Sequence, residues 1–188
     1  MNYPEYIRDI KLNLLMSDHK ITINPTLRMS RFAFLRPGYK LIKNLTEMGA
    51  VLTGSRALKC YLINDKPLFD RKPNDWDFIV TEKMAMKICD EHGITSYDIK
   101  PGKFIIPIGK NLILLRGSYG DTRIMPTNIQ LIVKDELPSY KEVNSIKIAE
   151  LSYIIDEKYK LISKYENKHD HDLRQIIARF SNLWLTIM

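Results

Sequence analysis

The pattern of apolar and polar positions predicts an α/β chain that begins and ends with helices. Apolar residues recur at helical spacing over residues 3–16 and again over 39–48, where Leu41, Leu45 and Met48 fall on one face. Gly49 follows the second helix and is a suitable residue to end it.

The middle of the chain alternates between short apolar runs and amphipathic segments. The pattern predicts a strand over 50–53, a turn at Gly54-Ser55, a helix over 56–63, a polar loop over 64–74, a strand over 75–80 and a helix over 81–92. Thr81 and Glu82 suit a helix start.

Further strands and then helices complete the pattern. The runs 104–108, 112–115 and 128–133 are apolar or alternating, and glycines and a proline separate them. From Leu151 onwards the apolar spacing becomes helical again. We therefore expect a mixed sheet flanked by helices, with a C-terminal helical pair. The predicted division is an N-terminal helix and basic segment over 1–38, a core over 39–145 and the helical pair over 146–188.

Length and composition fit one compact domain. The chain has 188 residues, of which 45% are hydrophobic and 27% charged, both near the averages for globular proteins. No apolar run approaches the roughly 20 residues of a membrane span, and the first residues lack the layout of a signal peptide. We expect a cytoplasmic protein with no membrane partner. Cys60 and Cys89 stand far apart and are interpreted as core residues.

The positive charge is concentrated in the first third of the chain. The net charge is +7, and residues 1–60 hold ten basic and four acidic side chains. Residues 19–46 contain no acid, and aromatic residues alternate with their basic ones. This mixture suits contacts to phosphates and stacking on bases, although an ordinary solvated surface has the same composition. The candidate nucleic-acid contacts are Arg28, Arg31, Arg36, Lys40 and Lys43.

Two short motifs carry the candidate chemistry. Gly54-Ser55 lies where a strand passes into a helix, and Asp75-Trp76-Asp77 opens the next long strand. Because residues i and i+2 of a strand share a face, Asp75 and Asp77 project together, and paired carboxylates suit a divalent metal. Glycine permits close approach, and the backbone N-H groups and the Ser55 hydroxyl can hold phosphate oxygens.

Each motif also has a purely structural interpretation. Asp75-Trp76-Asp77 could be a polar strand entrance with a turn-capping aspartate, and Gly54-Ser55 a helix N-cap. A second Gly-Ser, at residues 117–118, is interpreted as a turn. The run 169–172, His-Asp-His-Asp, hints at a metal-dependent phosphohydrolase, but acids at a solvated helix start explain it better.

The sequences LTGSRAL and DWDFIV resemble the signature of the polymerase-beta-type nucleotidyltransferase superfamily. The later stretch 146–151, followed by Lys158 and the run 168–173, is similar to the helical part of small nucleotidyltransferases. That group includes minimal nucleotidyltransferase antitoxins and abortive-infection-type toxins. The resemblance covers about residues 39–180.

The resemblance implies a set of functional residues. Asp75 and Asp77 would ligate magnesium, or manganese, and would be catalytic. Gly54 and Ser55 would hold a nucleoside triphosphate such as ATP, with Arg56 and Lys158 as further phosphate contacts. Many members add a third acid on a following strand, and here the strand 128–133 offers Gln130 at that position. Asp98, Asp121 or Asp135 could serve instead, or the chain could work with two acids.

The resemblance therefore implies a metal-dependent nucleotidyltransferase. It would transfer a nucleoside monophosphate from a nucleoside triphosphate to a hydroxyl and release pyrophosphate. The acceptor would be RNA, with a tRNA-like molecule first because of the basic segment, or a protein such as a toxin partner. Gln130 motivates the alternative, which is an inactive nucleotidyltransferase fold used to bind nucleic acid or protein.

Overall fold

The computed structural model of the chain confirms a mixed α/β fold with a C-terminal helical pair. The structure describes the following residues: 20–24, 37–68, 70–73, 75–91, 104–108, 111–115, 128–162 and 166–185. Several predictions lie outside these residues, namely the helix over 3–16, the turn at 117–118, and Arg28, Arg31, Arg36, Asp98 and Asp121. Lys40 and Cys89 lie in described helices, but their side chains are outside the description.

The described helices and strands are numbered along the chain. The helices are α1 (Pro37–Glu47), α2 (Gly54–Cys60), α3 (Glu82–Glu91), α4 (Leu151–Ile162) and α5 (Glu166–Leu185). The strands are β1 (Ile21–Ile23), β2 (Val51–Thr53), β3 (Tyr61–Ile63), β4 (Lys66–Pro67), β5 (Asp75–Thr81), β6 (Phe104–Ile108), β7 (Asn111–Leu115), β8 (Asn128–Lys134), β9 (Tyr140–Val143) and β10 (Ile146–Ala149).

The chain divides into two compact units. The first unit contains residues 1–24, 58–71 and 150–188, and the second contains 25–57 and 72–149. The division into 1–38, 39–145 and 146–188 stays a prediction.

The second unit is built on a seven-stranded sheet. Its strand order is β7-β6-β8-β5-β2-β10-β9. The sheet is mixed, because β5 runs parallel to β8 and antiparallel to β2, while β2 runs parallel to β10. Helix α3 packs against β5 and β8 and contacts α1. The central strands bury Leu52, Phe78 and Leu131 almost completely, so the hydrophobic core lies at the middle of the sheet.

Two helix ends of the second unit follow the sequence signals. Gly49 has a φ of +82°, and its N-H donates to the Thr46 carbonyl at 3.0 Å, so it ends α1 in the left-handed conformation that glycine permits. The Thr81 hydroxyl accepts a hydrogen bond from the Met84 N-H at 3.4 Å, which caps the start of α3.

Three short strands correct the predicted pattern. The helix predicted over 56–63 ends at Cys60, and Tyr61–Ile63 forms β3, because these residues pair with β1 and β4. The loop predicted over 64–74 contains β4. Residues 146–149, assigned to the helical pair, form β10 instead, because they pair with β2 and β9. The helical pair starts at Leu151.

The first unit combines a small antiparallel sheet with the helical pair. The sheet order is β1-β3-β4, and α4 packs against α5. Cys60 is buried, as predicted for a core residue. None of the described helices has the length and apolar character needed to cross a membrane.

Candidate functional site

The Gly-Ser and Asp-Trp-Asp motifs meet in the second unit. Gly54 and Ser55 are the first two residues of α2 rather than a separate turn, and Asp75 and Asp77 open β5. Strand β2 brings them together, since Thr53 pairs with Asp77 and is followed directly by Gly54. The two sequence motifs are therefore neighbours in the fold.

Gly54 and Asp77 lie in direct contact. A Cβ atom added at Gly54 would collide with Asp77 Oδ2 and lie 2.9 Å from Asp77 Cγ. Gly54 also has a φ of +67°, a backbone conformation that other residues adopt with strain. Both the conformation and the missing side chain let the backbone reach the carboxylate.

Three neighbouring strands contribute polar residues to the same row of the sheet. Asp77 lies between Thr53 on β2 and Gln130 on β8. Partners in register share a face of the sheet, so the Gln130 amide faces the same side as the Asp77 carboxylate. Thr53 and Gln130 are each 4% exposed, whereas both aspartates are half-buried. The carboxylates thus stand at the open margin of a buried polar row.

Arg56 binds the beginning of β5. Its Nε donates to the Asp75 carbonyl at 3.1 Å, and an Nη atom donates to the Pro73 carbonyl at 3.2 Å. Its Cζ lies 4.0 Å from the centre of the Trp76 ring, within the range of a cation-π contact. The sequence analysis missed these contacts, since no local pattern shows which carbonyls an arginine reaches. A phosphate contact by Arg56 stays a prediction.

The donor set fits a magnesium ion shared with a phosphate ligand. Magnesium is commonly held by one or two carboxylates, while water and phosphate oxygens complete its octahedron. Asp75 and Asp77, which share a face of β5, would supply the two carboxylates. Among the residues that the structure describes, no group of three or more His, Cys, Asp or Glu side chains could hold a metal.

Lys158 lies in the first unit, inside a cluster of buried charges. Its Nζ is 2.7 Å from Asp172 Oδ2, and the lysine side chain is 5% exposed. Arg71 also binds Asp172 through two hydrogen bonds, from Nε at 3.1 Å and from an Nη atom at 3.0 Å. The phosphate contact assigned to Lys158 stays a prediction.

The charge cluster keeps Asp172 ionised. Burial alone would raise the pKa of Asp172, but the hydrogen bonds from Arg71 and the positive charge of Lys158 outweigh it and hold that pKa below its usual value. Asp172 and His169 are buried in α5, whereas Asp170 pairs with Arg174 on its surface. Asp172 is therefore committed to this ion-pair cluster.

Of the predicted basic contacts, the structure describes one complete side chain. Lys43 is exposed on α1, with its Nζ 3.6 Å from Glu47 Oε1. A surface pair of this kind contributes little stability, so the ammonium can exchange Glu47 for another anion.

Comparison with known proteins gives a family. Residues 50–169 match the family described as "Domain of unknown function (DUF7277)". No curated protein matches the chain. A solved structure, "Crystal structure of JHP933 from Helicobacter pylori", is similar at 18% identity and a TM-score of 0.40, covering 79% of this chain and 66% of that one. The chain thus spans just under two thirds of the length of that protein. Because the family match covers more than half of the chain, the protein belongs to the DUF7277 family.

Proposed function

We propose that this chain is a metal-dependent nucleotidyltransferase. It transfers a nucleoside monophosphate from a nucleoside triphosphate to a hydroxyl of RNA, with a tRNA-like acceptor first, or of a protein, and releases pyrophosphate. The observation that carries the proposal is the contact between Gly54 and Asp77, since it joins a phosphate-binding segment to a pair of carboxylates. The resemblance to polymerase-beta-type nucleotidyltransferases supports the same reaction.

Each residue of the site has a role in this reaction. Asp75 and Asp77 hold magnesium or manganese, which supplies positive charge to the triphosphate oxygens when it is bound. The Ser55 hydroxyl and the neighbouring backbone N-H groups hold the β and γ phosphates, and Gly54 lets this segment approach the Asp77 carboxylate closely. The acceptor hydroxyl oxygen attacks the α-phosphorus, the bond to pyrophosphate breaks, and the hydroxyl proton passes to solvent water. Gln130 is not the base, because a neutral amide does not take up a proton at pH 7.

A transfer assay tests the proposal. The full chain is incubated with magnesium, RNA or protein acceptors, and each of the four ribonucleoside triphosphates labelled at the α-phosphate. We expect label in the acceptor and release of pyrophosphate, with a loss of at least two orders of magnitude in Asp77→Asn. The matched control is Asp90→Asn, which removes an exposed carboxylate from α3 and should leave transfer unchanged. Equal transfer by Asp77→Asn and the wild type would contradict the proposal.

Gln130 supports a second candidate function. It stands in register with Asp77 where a third acid is expected, and it is buried. A catalytically inactive domain that binds nucleic acid or protein would need no acid there. This candidate predicts that Asp77→Asn keeps full affinity for the RNA or protein partner, and that the wild type transfers no label.

A further inference from the structure

The beginning of β5 extends beyond its neighbour β2. Strand β2 ends at Thr53, which pairs with Asp77, and the chain then turns into α2 at Gly54. Asp75 and Trp76 pair with Asn128 and Ile129 of β8, and the described register of β2 does not reach them. The part of β5 that carries Asp75 therefore lies beyond the register of β2.

Arg56 binds the backbone at the start of β5. Its guanidinium donates to the carbonyls of Pro73 and Asp75, on either side of the strand entrance, at 3.2 and 3.1 Å. The ring of Trp76 covers it at 4.0 Å and is itself buried against the sheet. These contacts need the planar fork of an arginine, because a lysine presents one compact charge and cannot reach both carbonyls and the ring in the same way.

Trp76 is fixed in turn by its own neighbour. Its ring stacks on Phe78, with ring centres 6.1 Å apart and planes inclined by 4°. Since strand side chains alternate, Trp76 and Phe78 occupy the face opposite Asp75 and Asp77. The guanidinium thus stacks on one face of β5 while the carboxylates project from the other.

We propose that Arg56 is a positioning residue, which holds the start of β5 so that the carboxylates of Asp75 and Asp77 are correctly spaced for a shared metal ion. This inference rests on the proposed function. It differs from the role the resemblance implies, in which Arg56 contacts phosphate directly. Residues that hydrogen-bond to metal-ligating side chains commonly contribute 10- to 100-fold to metal affinity, and Arg56 would act on the same ligands through the backbone carbonyl of Asp75.

Binding of manganese without nucleotide separates the two roles. The full chain is titrated with Mn²⁺, and free Mn²⁺ is measured by electron paramagnetic resonance. Arg56→Lys keeps the charge and loses the fork, so we expect its Kd for Mn²⁺ to rise about tenfold or more. Arg56→Gln also removes a positive charge near two carboxylates, which by charge alone would tighten Mn²⁺ binding; the positioning role predicts weaker binding.

Controls and a second variant keep the test decisive. Lys83→Gln removes an exposed charge from α3 and should leave Kd unchanged. Trp76→Phe keeps an aromatic core residue but reduces the stacking surface, so a smaller rise in Kd is expected if Arg56→Lys fails to fold. Thermal unfolding of each variant verifies that the fold is retained.

The outcomes distinguish this inference from the proposed function. If Arg56→Lys binds Mn²⁺ as the wild type does but loses affinity for triphosphates, Arg56 is a phosphate contact and the positioning role is wrong. If the wild type binds no Mn²⁺, or Asp77→Asn binds it equally well, the metal site of the proposed function fails and the positioning role fails with it.

Discussion

At Gly54 the backbone conformation and the surrounding space both require glycine. The φ of +67° disfavours any side chain, and a Cβ atom would collide with Asp77. Gly49 shares the first requirement, with a φ of +82°, but a Cβ there would meet the flexible end of Lys147, 3.0 Å away at Nζ. A comparison of substitutions at the two positions therefore distinguishes the effect of backbone strain, which both share, from the effect of contact with Asp77, which only Gly54 has.

Substitution of both glycines tests the contact with Asp77. We expect Gly49→Ala to lower the free energy of unfolding by about 1 to 2 kcal/mol through strain alone, and to leave Mn²⁺ binding unchanged. Gly54→Ala should lower it further and weaken Mn²⁺ binding at least tenfold, because Asp77 must move. Unfolding in urea measures the change in stability, and Mn²⁺ titration measures the change in affinity. Unchanged Mn²⁺ affinity in Gly54→Ala would show that metal binding does not depend on the contact between Gly54 and Asp77.

Asp172 is the buried carboxylate at the centre of the ion-pair cluster in the first unit. It is 0% exposed and accepts hydrogen bonds from Arg71 and Lys158. Removal of its charge leaves Lys158 buried without that partner. We therefore expect Asp172→Asn to lower the free energy of unfolding by about 3 to 5 kcal/mol at pH 7. Asp170→Asn, two positions away and paired on the surface with Arg174, should cost less than about 1 kcal/mol.

The stability difference between the wild type and Asp172→Asn should also depend on pH. The pKa of Asp172 is lower in the folded chain than its ordinary value of 3.8, so its stabilising contribution is complete above pH 3.8 and is lost as the pH falls through the folded pKa. The difference in unfolding free energy between wild type and Asp172→Asn should be constant from pH 7 to pH 5 and shrink below pH 3.8. An increase in this free-energy difference as the pH is lowered would contradict a lowered pKa for Asp172 in the folded chain.

At the scale of elements, two-residue turns define both hairpins that the sequence analysis missed. Asn64 and Asp65 join β3 to β4, and Asn144 and Ser145 join β9 to β10, all four with positive φ. Two central residues with positive φ define the type I′ turn, which matches the twist of paired strands. The signal was present in the alternating residues 140–149, where Asn-Ser separates two short runs.

The type I′ turn predicts a stabilising substitution. Ser145 has a φ of 62°, which strains serine but not glycine, and Asn-Gly is the preferred pair for this turn. We expect Ser145→Gly to raise the free energy of unfolding by a few tenths to about 1 kcal/mol. Ser145→Val should lower it, because a β-branched residue tolerates positive φ poorly. Urea unfolding measures both, and a loss of stability in Ser145→Gly would exclude the assigned turn.

The spacing of apolar residues was enough to predict the longer helices and strands. It failed for short strands whose formation depends on pairing with residues far away in the sequence. The apolar spacing of residues 151–162 is enough to predict α4, and the alternation of 75–81 is enough to predict β5. Tyr61 follows α2 with no glycine or proline between them, so its strand depends on β1, about 40 positions away. The adjacency of Gly54 and Asp77 followed from motif order, but the burial of Lys158 depends on Asp172, which spacing does not show.

At the scale of the whole molecule, the uneven charge has a consequence for partners. Residues 1–60 carry ten basic and four acidic side chains, whereas the net charge of the chain is +7. An RNA acceptor that contacts this part releases counterions, so its affinity falls with salt in proportion to the number of phosphates neutralised. If RNA contacts only this part of the chain, basic residues elsewhere do not contribute to that slope.

Two triple variants test this distribution. Arg28, Arg31 and Arg36 changed together to Gln should weaken RNA binding and reduce the slope of log affinity against log salt by about 2, at roughly 0.7 per phosphate contact. Lys83, Lys87 and Lys141 changed to Gln remove the same charge from exposed positions and should leave the slope unchanged. Equal slopes in both triple variants would exclude the basic segment as an RNA contact.

We propose that Gly54, Ser55, Asp75 and Asp77 form one site for a metal-bound nucleoside triphosphate. Calorimetric titration of the full chain with each of the four ribonucleoside triphosphates and magnesium tests it most directly. We predict micromolar binding of at least one triphosphate, lost when magnesium is removed and lost in Asp75→Asn and Asp77→Asn, but retained in Asp90→Asn. Folded wild-type protein that binds none of the four, or binding that survives in both aspartate variants, would contradict the account.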